Sequence, residues 1–562
     1  MAIDRRVVRF GRPVGVALVV LAAGQQVMLA LGGGGWLPGR QPWPCLLVAA
    51  PLLLLSGGPG GRCRRGRSGC RAGQPPAGAL LLGVLLLATA VWAALQGGEP
   101  HIGHEEAVYA NKARSWLNGT ADAGWGVYRP PGLAFLGYLA LAVHDDVGAL
   151  RAVALLLLLF TLTTTYAVAA RWTTPARAAV STLLVLSGLG FLRRAPEFLN
   201  DIGSTGLLLV VVHLLVRVLE QPRSRAMWAL PVAVLAAFYL RYGVLGSLLA
   251  VVVAALLAYG PGAWRAAGRR WAGVAVVLLA GLLPHFLHAA RATGSPLGIV
   301  TFATSQSNRE FLGEGVLYYA ATFPYRLAGD LGGVVMAAGI WATVAAGRRA
   351  WADRRADGRR TPAGEDRRTV FLGGTALLNF VVLGTTTHGE PRFVYLSVVL
   401  LTVLGVQRLA TLAGPGRAWL SAAVVLLALL TVLGTAQVIA RGAMRGPDRL
   451  SDSTVPVARL LSGTRPCLLV TGYEPEMGWY SGCDAVTFAQ YRRRKREPPP
   501  PTEITFVLFE HGRLQPGADA LRTETGRRGT VVRTLPTSGS LGTATLVTLR
   551  RSRADQPRVP HR

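Results

Sequence analysis

The chain has 562 residues, of which 51% are hydrophobic and only 16% charged. Its apolar residues come in long blocks, not at the spacing of a soluble core, which excludes an ordinary water-soluble globular protein. The formal charge of +30 does not point to nucleic acid, because the basic residues sit mostly between apolar blocks and no nucleic-acid-binding motif accompanies them.

In chain order, a basic start (Arg5, Arg6, Arg9, Arg12) leads into the apolar block Val14 to Leu31. No small-residue cleavage site follows, so the block reads as a retained span and not as a signal peptide. Spans near Pro44 to Ser56 and Ala77 to Leu95 come next, separated by the Arg-rich stretch Arg62 to Arg71. Cys63 and Cys70 lie in that stretch without a histidine or second cysteine pair, which makes a poor zinc site. A long polar segment follows from Gln96 to about Asp146, and then roughly ten more spans, for about thirteen in all.

The basic loops (Arg171 and Arg177, Arg223 and Arg225, Arg265 to Arg270, Arg348 to Arg368) all fall on the side of the N-terminus. The positive-inside rule then places the N-terminus in the cytoplasm of an inner (plasma) membrane protein, and most of the acidic and histidine residues in outer loops. After the last span, near Ala418 to Ile439, hydropathy falls.

The tail carries short β-type runs at Cys467 to Thr471, Ala485 to Phe488, Ile504 to Phe509, Val531 to Leu535 and Ala544 to Leu549, which read as a small α/β domain. An odd number of spans puts that domain outside, where its two cysteines, Cys467 and Cys483, are expected to form a disulfide. The run Arg492 to Arg496 with Pro498 to Pro501 reads as a solvated loop. The expected fold class is therefore an α-helical polytopic membrane protein with a small extracytoplasmic α/β C-terminal domain. Its divisions are 1–75, a two-span extension; 76–440, a membrane catalytic domain; and 441–562, the outer domain.

Three outer segments carry candidate chemistry. In the first, His104, Glu105 and Glu106 are followed at helical spacing by Tyr109, Lys112, Arg114 and Trp116, then by the turn Asn118-Gly119-Thr120, and then by Tyr128-Arg129-Pro130-Pro131. Adjacent carboxylates can supply a general base and a ligand for a metal ion or a sugar hydroxyl, because each raises the proton affinity of the other. They equally suit the first turn of a solvated helix. The second segment is Arg193 to Asp201, in which Asn200 or Asp201 serves as a helix cap or as a ligand. The third is His388-Gly389-Glu390-Pro391-Arg392-Phe393, whose Arg392 could grip a lipid phosphate with its planar fork or snorkel to the interface.

In order and spacing, these segments resemble the GT-C membrane glycosyltransferases, specifically the glycosyltransferase family 39-like relatives of protein O-mannosyltransferases and lipid A aminoarabinose transferases. The resemblance covers roughly Pro76 to Leu412 and excludes the first two spans and the tail. The family carries Asp-Glu where this chain has Glu105-Glu106, so the longer Glu105 stands at the position of the family's base.

The resemblance implies a GT-C-like helical bundle. It also implies transfer of a sugar from a polyprenyl-phosphate donor on the outer face with inversion, using Glu105 with Glu106 as catalytic carboxylates. Tyr109, Lys112, Arg129, Arg194, Asp201, Arg241, His388, Glu390 and Arg392 would bind substrate. A divalent metal ion held by Glu106 and His288 is a further expectation. The implied partners are membrane lipid and a polyprenyl-phosphate-linked sugar, with an acceptor of unknown class and no nucleic acid. The rival readings are a transporter or flippase of lipid-linked sugars and a non-catalytic membrane scaffold. Clustering of the ionisable residues at one face, away from the midplane of broken helices, favours the enzyme.

Overall fold

A computed structural model describes residues 5–30, 43–56, 77–96, 101–120, 122, 124–305, 309–322, 325–357, 364–414, 418–440, 450–462, 467–494, 503–526 and 530–549. Cys63, Cys70, the Arg62 to Arg71 stretch and Pro498 to Pro501 lie outside these residues. The chain forms two compact units, Met1–Gly97 with Ala154–Gly442, and Gly98–Val153 with Ala443–Arg562. The first polar segment thus folds with the tail, across the boundaries 76–440 and 441–562 expected from composition.

The first unit is a helical membrane bundle. Among the described residues of the chain, eight helices are long and apolar enough to cross a bilayer, running from Gly78–Gln96 to Pro391–Ala413, and five shorter apolar helices accompany them. Many of their large side chains face outward: Leu86, Leu156, Val232 and Leu279 are each 61–66% exposed. In water such a surface would be costly; in hydrocarbon it is the expected exterior of a helix whose backbone groups are bonded internally. The protein is a multi-pass membrane protein. Where helices meet, small residues let the backbones approach closely. A Cβ at Gly405 would overlap the Val335 carbonyl, and one at Gly339 would overlap the Leu401 carbonyl, so the Tyr325–Asp357 and Tyr395–Ala413 helices can pack only with glycine at both places.

The second unit centres on a five-stranded mixed sheet in the order β2-β1-β3-β5-β4, with β1 Cys467–Val470, β2 Asp484–Val486, β3 Glu503–Phe509, β4 Thr530–Leu535 and β5 Ala544–Leu549. β1 lies parallel to both β2 and β3, and β5 runs antiparallel to β3 and β4. All five apolar runs in the tail form strands, because β-branched and aromatic residues alternate between the two faces of the sheet. Leu469, Val507, Phe509 and Leu546 pack on one face with Tyr473 and Met477, while Phe506, Val547 and Leu549 pack on the other with Tyr491. Arg492 and Arg493 fall in the short helix Phe488–Arg494.

Cys467 and Cys483 are joined by a disulfide between the starts of β1 and β2, with Cα atoms 5.1 Å apart and a separation of 16 positions in sequence. By loop-closure entropy a bridge of this span stabilises the folded state by about 3 kcal/mol. Replacing both cysteines with alanine is therefore expected to lower the thermal stability of this unit by that amount. The loss is measurable as protease sensitivity of the tail at a temperature where the wild-type tail is resistant.

Candidate functional site

In the membrane unit, the second and third polar segments meet. The Asn200–Glu220 helix begins with Asn200 and Asp201, but its N-cap is Leu199 and no side chain caps it. Both residues turn to tertiary partners. The Asn200 amide donates to the Leu240 carbonyl at 2.8 Å, which fixes the end of the Ala226–Leu240 helix and the position of Arg241 just after it. The Asp201 carboxylate, 3% exposed, accepts Arg241 Nη1 at 2.5 Å and has Arg392 Nη1 at 3.8 Å from its other oxygen. A buried carboxylate tolerates desolvation only when paired in this way, and here it holds two guanidinium groups side by side.

Arg392 enters from the turn before the Tyr395–Ala413 helix. Gly389 makes that turn at φ +86°, where a side chain would be strained and would also strike Tyr318 and Gly315. Glu390 bonds Arg392 Nε, and its other oxygen lies 3.4 Å from His388 Nε2. The Tyr319 hydroxyl donates to the Glu390 carbonyl at 3.2 Å. Burial pushes the Tyr319 phenol well above its usual range, so it remains a donor at neutral pH. The Phe393 ring sits under both guanidinium groups, 5.0 Å from that of Arg241 and 5.4 Å from that of Arg392. Arg194, paired with Glu197 at 2.5 Å, lies close enough to Arg392 for their charges to repel. Arg194, Asp201, Arg241, His388, Glu390 and Arg392, all expected from sequence, thus form one polar cluster. Asn200, expected as a cap or a ligand, instead anchors the Leu240 carbonyl; Tyr319 was not singled out, and only its burial distinguishes it from an interfacial tyrosine.

The second unit separates the adjacent carboxylates. The His104–Leu117 helix starts at the expected acidic pair. Glu106 is 4% exposed, accepts the Gly103 N–H at 3.1 Å and pairs with Arg151 at 3.0 Å; Glu105 is half-buried. Lys112 is also buried, with its ammonium 2.8 Å from the Gly126 carbonyl, 3.1 Å from the Arg129 carbonyl and 2.9 Å from Asp122. Burial pulls its pKa down, opposed by Asp122, and the side chain clamps the following loop onto the helix. Arg129 lies over the buried Tyr109 ring at 5.8 Å. Asn118 closes the helix and Gly119 follows at φ +66°, as a turn requires.

The four residues Glu105, Glu106, Tyr109 and Lys112 therefore do not share one open face. Sequence reasoning passed over Arg151 and Asp122. A lone arginine at the start of an otherwise apolar helix was the available signal for Arg151, and none marked Asp122. His288 is exposed on the Arg270–Thr293 helix, and among the described residues no three His, Cys, Asp or Glu side chains gather as a metal site needs.

Removing one partner of the Glu106–Arg151 pair strands a buried charge, which costs about 3–5 kcal/mol. Glu106→Gln is thus expected to lower thermal stability by about that much, and adding Arg151→Met is expected to recover most of it. Unchanged melting of Glu106→Gln would contradict the structural role.

No protein-family model matches the sequence, and no curated protein does. Solved structures match the fold. A crystal structure of ArnT from Cupriavidus metallidurans bound to undecaprenyl phosphate is similar, with a TM-score of 0.61 at 15% identity, over 84% of this chain and 98% of the other. The same protein in the apo state gives 0.58, also at 15% identity and over the same shares. The oligosaccharyltransferase of Archaeoglobus fulgidus, tethered to an acceptor peptide, reaches only 0.47 at 10% identity, over 85% of this chain and 75% of that one. The chain shares its fold with the two ArnT structures.

Proposed function

We propose that the protein is a glycosyltransferase that moves a sugar from a polyprenyl-phosphate donor to an acceptor hydroxyl on the outer face of the membrane. The observation that carries this reading is the pair of arginines, Arg241 and Arg392, held on the buried Asp201 over the Phe393 ring. Two fixed guanidinium forks suit a phosphate better than a solvated lysine would, because their planar N–H groups match its oxygens and reorganise little on binding. The fold shared with ArnT, whose structure holds undecaprenyl phosphate, supports a lipid-linked phosphate as the anion.

In this reading Arg392 and Arg241 hold the donor phosphate, with Arg194 adding to the local positive field. Glu105 takes the proton of the acceptor hydroxyl. The acceptor oxygen forms a bond to the anomeric carbon as the bond from that carbon to the phosphate oxygen breaks. Polyprenyl phosphate leaves with the electron pair, and the anomeric configuration inverts. The basic inner loops support an outward-facing site.

Membranes containing the protein, given radiolabelled sugar on polyprenyl phosphate, are expected to yield labelled acceptor together with free polyprenyl phosphate. No labelled product from any such donor, with the protein folded and inserted, would overturn the reading. The same assay in EDTA is expected to retain its rate, because the Glu106 carboxylate is committed to Arg151 and the Gly103 N–H; a rate lost to chelation and restored by a divalent salt would support the Glu106 and His288 ion instead.

A further inference from the structure

The second unit contains a cleft whose walls include neither Glu105 nor the arginines proposed to hold the donor phosphate. The His104–Leu117 helix, the turn Gly124–Tyr128 and the helix Glu474–Ser481 enclose it, with Asn111, Ser115, Trp125, Glu474, Gly478 and Asp484 among its walls. Its volume is about 70 Å³, room for roughly five waters at ~10–15 Å³ each, and it opens to solvent.

Most polar groups around it are engaged. The Asn111 amide donates to the Pro475 carbonyl at 2.7 Å, and Arg114 donates to the Trp479 carbonyl at 2.8 Å and pairs with Asp145. Glu474 is the exception. It is 3% exposed, and neither carboxyl oxygen has a partner with hydrogen-bond geometry. A buried carboxyl without well-formed hydrogen bonds is costly to desolvate.

We propose that this cleft binds one neutral sugar ring, with a ring face against Trp125 and Glu474 turned about its side-chain bonds to meet the ring hydroxyls. Hydroxyl donors supply the bonds that Glu474 lacks, and the indole offers an apolar face to the C–H side of a pyranose. Burial, the largest influence on Glu474, raises its pKa, opposed by its own backbone N–H, His104 and the Trp125 indole, while the neighbouring Glu476 adds to the rise. A carboxyl favoured in its neutral form can donate as well as accept, which suits hydroxyls better than an ammonium. The two cations nearest the cleft, Lys112 and Arg114, are already matched by Asp122 and Asp145, so nothing in the walls calls for an anion. The proposal concerns binding only and stands apart from transfer.

The test uses the purified full-length protein in detergent. Equilibrium dialysis with labelled neutral disaccharides (maltose, lactose, trehalose and α-1,6-mannobiose) is compared with labelled hexylamine as a cation control, for the wild type, Glu474→Met and Trp125→Leu. At least one disaccharide is expected to bind the wild type with a Kd of about millimolar order, and both variants are expected to weaken it tenfold or more. Glu474→Met is also expected to melt at or above the wild type, since an apolar replacement removes an unpartnered buried group. Absence of binding by every disaccharide, binding unchanged in both variants, or preference for hexylamine overturns the proposal. If Glu474→Met does not fold, Trp125→Leu decides by the same criterion.

Discussion

Arg392→Ala is expected to slow sugar transfer by about 10²–10³-fold, the loss of about 3–4 kcal/mol of stabilisation of charge on the leaving phosphate. Two features make the variant informative. Asp201 keeps its contact with Arg241 at 2.5 Å, so the buried carboxylate is not stranded and the helix start survives. Arg392 also reaches its place from a turn fixed by Gly389 and Glu390, so its removal does not move the other arginine. Arg392→Lys separates charge from shape: it keeps the cation and loses the fork, and is expected to retain about a tenth of the activity. Initial rates with purified donor, measured alongside polyprenyl phosphate binding, check both variants. Wild-type rates in Arg392→Ala would remove this residue from phosphate recognition.

Glu105→Gln is expected to lower transfer by about 10²–10⁴-fold with the protein still folded, because a general base contributes on that scale and the half-buried Glu105 is not the carboxylate paired with Arg151. The neighbouring substitution has the opposite signature: Glu106→Gln unsettles the fold, and its activity falls with the folded fraction. Glu105→Asp, which restores the shorter acid found in the resembling family, keeps the proton acceptor and is expected to retain measurable transfer. If Glu105→Gln transfers sugar at the wild-type rate, the base lies elsewhere in the chain.

How much of this was legible in the sequence depends on how far apart the interacting residues are. The tail strands were readable because alternation and β-branching act over a few residues; Glu503–Phe509 and Ala544–Leu549 stand almost where their apolar runs do. The pairing of Cys467 with Cys483 was an expectation from compartment and number, and the structure contains that bond. The polar cluster was readable as three separate segments, but not as an assembly. Asp201 meets one arginine 40 positions away and another 191 positions away, and no local pattern records such a meeting.

Glu105 and Glu106 look equivalent in sequence. The partner that distinguishes them, Arg151, lies 45 residues downstream at the start of an apolar helix. Lys112 reads as a ligand because it is a cation beside an acidic pair, and only its burial between Gly126, Arg129 and Asp122 shows it as a clamp. Shorter apolar helices such as Pro175–Ser187 and Ala226–Leu240 blur the number of spans, since hydropathy registers thickness crossed and not how a helix is packed.

The most direct test of the central claim reconstitutes the purified protein in liposomes, with a polyprenyl-phosphate-linked radiolabelled sugar in the membrane and acceptor-containing membrane extract outside. Cleavage of the donor is followed separately from its movement between leaflets. Labelled acceptor and free polyprenyl phosphate are expected to appear in equal amounts, and both to be lost in Glu105→Gln and Arg392→Ala. Donor that crosses the bilayer intact, with no polyprenyl phosphate released, would contradict that claim and identify a transporter of lipid-linked sugars instead.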